Sequence, residues 1–330
     1  MKIAVIGSGS WGTALAQVLS DNHHDCLIYG RQKEQVDDIN LHHQNSQYFG
    51  GVNLNSKLKA VNELSKVKDS QIIILAVPST AIRTMCLKLN KIIKKPVLIV
   101  NVAKGFDPKT HERLSEVITK SFSKNKLSGV VSLLGPSHAE EVVVRKLTTV
   151  DAVSTNKKAA KIVQKLFSND YFRVYYLTDM IGAEIATGVK NIMALASGIS
   201  YGLGLGDNAR AGLMTRGLAE MTRYGEALGG KPMTFLGLCG VGDLIVTCTS
   251  EHSRNFTAGK MIGQCDSAKT FWETNKLTVE GVKASEIVYE EAKKRGIEMP
   301  ITEVIYKILY LNAKPSECIR ELMQRSLKAE

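Results

Sequence analysis

A chain of 330 residues, 44% hydrophobic and 23% charged, has ordinary globular values and is long enough for two domains, each with its own core. The formal charge of +11 admits anionic partners, but aromatic residues make up only 6% and nowhere interleave with clustered basic residues, which speaks against a nucleic-acid surface. Six scattered cysteines without CxxC or metal-ligand spacing, no signal-peptide pattern, and no uninterrupted apolar run of about eighteen residues predict a cytoplasmic protein with unbridged thiols and no membrane insertion.

In chain order, Ile3–Ile6 reads as a short buried strand, followed by Gly7-Ser8-Gly9-Ser10-Trp11-Gly12. An amphipathic helix then runs through Ala14, Leu15, Val18 and Leu19, and Cys26–Tyr29 is a second strand. Strand, G-x-G-x-x-G, helix, strand is the dinucleotide-binding fingerprint in its required context. Gly7 makes the tight turn, Gly9 lets the backbone approach a pyrophosphate, and Gly12 packs helix against strand. The bland alternative is a purely structural glycine loop. The second strand ends in Gly30-Arg31-Gln32-Lys33 rather than in an acid, and a basic residue there fits a ribose 2′-phosphate. The competing reading of Arg31 is an ordinary surface arginine.

Lys57–Lys68 and Lys157–Lys165 read as amphipathic segments with solvated helix faces. Strands are predicted at Ile72–Val77, Val97–Val102, Val130–Leu134, Thr148–Val153 and Phe172–Tyr175, with helices after the first and over Lys157–Phe167. Alternating strands and helices make an α/β, largely parallel Rossmann-type sheet. Ligands bind beyond the carboxyl ends of such strands, which singles out Lys104 and the turn Gly135–Ala139. After Thr178 the strand signal stops, so a dinucleotide-binding domain over 1–180 and an all-helical domain over 181–330 are expected.

The first helix of that second part, Asp179–Tyr201, is apolar on every side and so should be buried. It nevertheless carries Lys190, which shares a face with the small residues Ala183, Ala186, Thr187, Ala194 and Ser197. Glu184 lies on another side, so the partner must come from another segment or a ligand; the alternative is a lysine snorkelling to water. Further helices are predicted over Asn208–Leu228, Asn255–Gly263, Val282–Arg295, Pro300–Leu311 and Pro315–Arg325. Between them, Leu236–Leu244 reads as an irregular glycine-rich loop ending in Asp243, and Ser253-Arg254-Asn255 as a helix start suited to a small anion. Asp243 by itself could equally be a turn or capping aspartate.

Taken together, GSGSWGTALA at 7–16, NVAKGF at 101–106, GPSHAEEV at 135–142, GVKNIMALASGI at 188–199, GDNARAGLMTRGLAE at 206–220, GVGDLIVTC at 240–248 and SRN at 253–255 resemble the bacterial NAD(P)-dependent glycerol-3-phosphate dehydrogenases from end to end. VEG at 279–281 and MPIT at 299–302 also match; Cys239 and Thr278 depart from the usual pattern without touching the main blocks. The resemblance implies a homodimer that reversibly reduces dihydroxyacetone phosphate to sn-glycerol 3-phosphate for phospholipid synthesis, using NADP(H), NAD(H) or both. It implies cofactor contacts by Ser10, Trp11, Arg31, Gln32, Tyr48, Lys104, Ala139, Arg254, Thr278 and Glu280. It further implies substrate contacts by Lys104, Gly135, Ser137, Lys190, Asp243, Ser253, Arg254 and Asn255, with Lys190 the proton donor and acceptor beside Lys104 and Asp243. Such chemistry calls for a cation and a proton at a developing alkoxide, both of which a lysine supplies, and for no metal. A 6-phosphogluconate or 3-hydroxyacyl-CoA dehydrogenase would need a sugar-acid or acyl-CoA site instead, and a nucleic-acid-binding protein would have no use for a lysine on a buried helix.

Overall fold

The structure is a computed structural model and describes residues 1–327. The chain divides into two compact units, Met1–Met180 and a second that begins at Ile181.

The first unit is built on strands β1 (Lys2–Ile6), β2 (Asp25–Tyr29), β3 (Lys59–Val61), β4 (Ile72–Leu75), β5 (Val97–Asn101), β6 (Leu127–Leu134), β7 (Thr148–Val153) and β8 (Phe172–Leu177). They form one sheet in the order β3-β2-β1-β4-β5-β6-β7-β8. Among the described residues β6 and β7 run antiparallel and the other neighbours are parallel. Its helices are α1 (Ser10–Asp21), α2 (Lys33–Asp37), α3 (Ser79–Ile92), α4 (Leu114–Ser121), α5 (Ala139–Val142) and α6 (Lys157–Phe167). The central strands are apolar along their buried stretches, Ile3–Ile6, Ile72–Leu75 and Val97–Val100, because both faces are covered. Side chains alternate across a strand, so Ile3, Val5, Ile72 and Ile74 join the core under α1 and α6, while Ala4, Ile6, Ile73 and Leu75 join the one under α3 and α4.

Two expectations fail locally. The Lys57–Lys68 segment is no α-helix: it holds β3 and a single 3₁₀ turn, Leu64–Val67. Leu58 and Ala60 are buried between exposed Lys57 and Lys59, a period of two that belongs to a strand. The Asn40 side chain fixes that strand by accepting from the Ala60 N–H at 2.8 Å and donating to its carbonyl at 3.0 Å. The lysines are solvated as expected, but from a strand edge.

The second unit is helical. Its main helices are α7 (Met180–Gly202) and α8 (Gly206–Ala227), followed by α9 (Pro232–Phe235), α10 (Asp243–Thr249), α11 (Arg254–Gln264), α12 (Lys269–Thr274), α13 (Glu280–Arg295), α14 (Pro300–Tyr310) and α15 (Pro315–Met323). Every residue from Gly182 to Ser200 is buried, as the all-round apolar pattern of α7 demands. Glycines let the neighbours approach it closely. A Cβ at Gly198 would collide with the Phe256 carbonyl of α11, one at Gly259 with the Leu195 carbonyl of α7, and one at Gly281 with the Asn191 carbonyl.

The second correction lies here: Leu236–Leu244 is not an irregular loop. Leu238–Gly242 winds as a π turn directly into α10, with Gly240 pressed against the Phe235 backbone, so the glycines serve tight winding and Asp243 opens a helix. The apolar stretch Pro232–Thr249 has a mean hydropathy of 1.4, but it is split among α9, this turn and α10, each far shorter than the roughly 20 residues of a membrane-spanning helix.

Candidate active site

In the first unit the chain leaves β1 at Ile6 and enters α1 at Ser10. Gly7 takes φ +119° there, donates its N–H to the Tyr29 carbonyl at 2.9 Å, and leaves no room for a Cβ against the Ala76 carbonyl. A Cβ at Gly12 would strike the Gly7 carbonyl, so α1 can start flush against the turn. Gly9 differs: beyond its own chain neighbours, no heavy atom lies within 4 Å of where its Cβ would stand. No side chain caps α1, and the N–H groups of Ser10, Trp11 and Gly12 have no acceptor within the helix. An open space over uncapped N–H groups at the positive end of a twelve-residue helix fits a pyrophosphate.

Arg31, Gln32 and Tyr48 carry exposed side chains, Arg31 in the turn after β2, Gln32 as N-cap of α2 and Tyr48 in the loop before β3. On the other side of β4, the carboxyl ends of β5 and β6 converge. Lys104 Nζ donates to the Gly135 carbonyl at 3.1 Å, and the Ser137 hydroxyl donates to the same oxygen at 3.0 Å. Ala139 is buried at the start of α5.

In the second unit Lys190 is only 3% exposed, which overturns the snorkelling alternative. Its ammonium forms an ion pair with Asp243, itself 1% exposed, and donates to the Thr247 hydroxyl at 2.7 Å. Asp243 and Thr247 stand one turn apart on α10 and therefore face Lys190 together. The nearby Cys248 thiol is pushed up to about 12 by burial and stays neutral, so the ionic chemistry here rests on the lysine and the aspartate.

Asn191, next to Lys190, ties three helices together. It donates to Glu280 of α13 at 3.4 Å and accepts from the Asn255 side chain of α11 at 3.1 Å, while Asn255 accepts from the Gly281 N–H at 2.8 Å. Ser253 is the N-cap of α11 and accepts from the Phe256 N–H at 3.2 Å; Arg254, the first residue of that helix, is exposed, and so is Thr278. The structure therefore brings together Lys104, Gly135 and Ser137 in one unit, and in the other Lys190 with Asp243 and Asn255 with Glu280. Thr247 and Asn191 were missed by sequence reasoning. Thr247 had a signal, the four-residue step from Asp243; Asn191 had none beyond adjacency to Lys190.

Residues 2–160 match the family model for the N-terminus of NAD-dependent glycerol-3-phosphate dehydrogenase, and residues 179–320 match that for its C-terminus. The glycerol-3-phosphate dehydrogenase [NAD(P)+] of Staphylococcus epidermidis is 48% identical over 330 residues, covering 100% of this chain and 99% of the relative. This chain belongs to the NAD(P)-dependent glycerol-3-phosphate dehydrogenase family. The Listeria innocua member is likewise 48% identical, over 100% of this chain and 98% of its own. A crystal structure of glycerol-3-phosphate dehydrogenase from Coxiella burnetii superposes with a TM-score of 0.91 at 35% identity, covering 98% of this chain and 99% of that one. As a glycerol-3-phosphate dehydrogenase, the chain is an oxidoreductase with a nicotinamide dinucleotide cofactor, and the turn at Gly7–Gly12 has the form that cofactor needs.

Proposed function

We propose that this enzyme interconverts dihydroxyacetone phosphate and sn-glycerol 3-phosphate, with Lys190 as the group that gives and takes the proton. The observation that carries this reading is a lysine buried on a helix that is enclosed on every side, with its ammonium held by a carboxylate and a hydroxyl. When bound, the nicotinamide supplies or accepts the hydride. Reduction of the ketone leaves charge developing on the carbonyl oxygen; an ammonium at Nζ stabilises that charge and delivers a proton to it, and in oxidation the amine takes the proton from the alcohol. Asp243 and Thr247 fix the direction of the Lys190 head group, so little reorganisation is needed during the transfer. The backbone at Gly7, Gly9 and Gly12, with Ser10 and Trp11, would hold the pyrophosphate, and Arg31 a 2′-phosphate. Gln32, Tyr48, Ala139, Thr278 and Glu280 are assigned to the rest of the dinucleotide, and Lys104, Gly135 and Ser137 to the substrate. The substrate phosphate is assigned to the start of α11, where Ser253, Arg254 and Asn255 join helix N–H groups to a planar guanidinium fork.

We also propose a cytoplasmic homodimer feeding phospholipid synthesis; its unbridged thiols suit a reducing compartment. Light scattering of the purified protein would test the dimer. The activity is tested by following NADPH absorbance with dihydroxyacetone phosphate and, separately, with dihydroxyacetone. Turnover should be strong with the phosphorylated ketone and at least about a hundredfold weaker without the phosphate, the loss expected when a charged group and its hydrogen bonds go unmet. Equal rates would refute the assignment of a phosphate site.

A further inference from the structure

Asn45 lies between the π turn Asp38–His42 and β3, far along the chain from the dinucleotide turn, yet its side chain reaches that turn and is 0% exposed. Its amide nitrogen donates to the Ser8 carbonyl at 2.9 Å and to the Thr13 hydroxyl at 2.8 Å. The Thr13 hydroxyl in turn donates to the same Ser8 carbonyl at 3.4 Å. A carbonyl can only accept, so the amide must present its NH₂ to Ser8 and its orientation is settled by chemistry. The Asn45 backbone is anchored as well: its carbonyl accepts from the N–H groups of Tyr48 at 3.0 Å and Phe49 at 2.9 Å, and Phe49 is buried in the core beside α1.

The Ser8–Gly9 peptide is trans, so its carbonyl and its N–H point in opposite directions. Two donors that hold the Ser8 carbonyl inward therefore turn the Gly9 N–H outward, away from Asn45. Gly9 is the glycine whose absent side chain leaves open space, and a glycine peptide left unrestrained flips easily. A flipped plane would present carbonyl lone pairs to an incoming phosphate instead of a donor. We propose that Asn45, acting with Thr13, is a positioning residue for the dinucleotide pyrophosphate: it locks the Ser8–Gly9 peptide plane with its N–H already aimed at the phosphate. This rests on the reading that the Gly7–Gly12 turn holds the pyrophosphate. Preorganisation of this kind strengthens binding because no ordering remains to be done when the ligand arrives.

The test is equilibrium titration of wild type, Asn45→Leu, Thr13→Val and Thr13→Ser with NADPH and with adenosine 2′-phosphate, which lacks the pyrophosphate, alongside thermal melting of each protein. Asn45→Leu keeps the side-chain bulk and removes the donors. It should weaken NADPH binding by about 10- to 100-fold, the loss of one hydrogen bond to a charged group, with adenosine 2′-phosphate unaffected and kcat at saturating NADPH within about twofold of wild type. Thr13→Val should weaken NADPH in the same selective way and Thr13→Ser should restore it. A folded Asn45→Leu that binds NADPH like wild type would overturn the proposal, and so would an equal loss for both ligands, which indicates a general distortion. If Asn45→Leu does not fold, the Thr13 pair decides, and equal NADPH affinity in Val and Ser variants counts against it. Wild type that binds neither NADPH nor NADH would bring down the reading of the turn itself, a result visible before any variant is made.

Discussion

Lys190 and Arg31 are both cations, but the fold treats them in opposite ways. Lys190 is enclosed with Asp243 and Thr247, whereas Arg31 stands exposed at the end of β2. A buried ammonium needs that enclosure, since removing its charged partner would leave it desolvated and uncompensated. An exposed guanidinium costs little to keep, and its planar fork can grip two phosphate oxygens at a time, the use proposed for Arg31. The two therefore fail differently when changed. Arg31→Asp should shift cofactor preference from NADPH toward NADH by about tenfold or more, because a 2′-phosphate would meet repulsion while a ribose hydroxyl would meet an acceptor. The check is kcat/KM with each cofactor. Equal loss with both would show that Arg31 does not read the 2′ position.

At the scale of elements, α7 is the post against which α10, α11 and α13 set their site residues, and glycines decide how near those helices come. A Cβ at Gly259 would collide with the Leu195 carbonyl, so Gly259→Ala must push α11 off α7. The expected cost is about 1–3 kcal/mol of unfolding stability, as for other overpacked contacts, read by urea denaturation. Catalysis should weaken too, because Asn255 rides on α11 and meets Asn191 of α7 through a single hydrogen bond. An unchanged midpoint would show that the helices can part without penalty. The burial of α7 was legible from its apolar pattern, and so was the need for a partner to Lys190. That the partner stands on a helix was not: Gly240 and Gly242 look like loop residues, and only the close approach of Gly240 to the Phe235 backbone shows that a tight π turn needs a glycine there. The three-residue strand β3 was hidden for a different reason, being too short for its alternation to outweigh a lysine-rich surface. Asn191 and Asn45 were illegible because each works through a backbone or side chain supplied by a distant segment, and no local spacing encodes that.

For the whole molecule, pH should act through Glu220 as well as through the active site. This α8 carboxylate is buried and accepts from the Ile301 N–H at 2.6 Å and the Thr302 N–H at 3.3 Å, capping α14 from outside that helix. Burial outweighs those bonds and pushes its pKa up to about 7 from an ordinary 4.5. The folded state therefore holds an extra proton between those values. The stability this confers is complete below about 4.5 and is lost as pH rises through about 7, on the order of 3 kcal/mol in all. Glu220→Gln, which cannot titrate, should flatten that fall when denaturation midpoints are compared across the same window; an unaltered slope would assign the dependence to other groups. The measurement that bears most directly on the enzyme as a whole is the rate of NADPH oxidation with dihydroxyacetone phosphate in Lys190→Ala against wild type. On the proton-transfer role proposed for Lys190, kcat should fall by about 10²–10⁴ while NADPH affinity stays near wild type. A variant that turns over normally and merely melts at a lower temperature would contradict the account and leave Lys190 a structural residue.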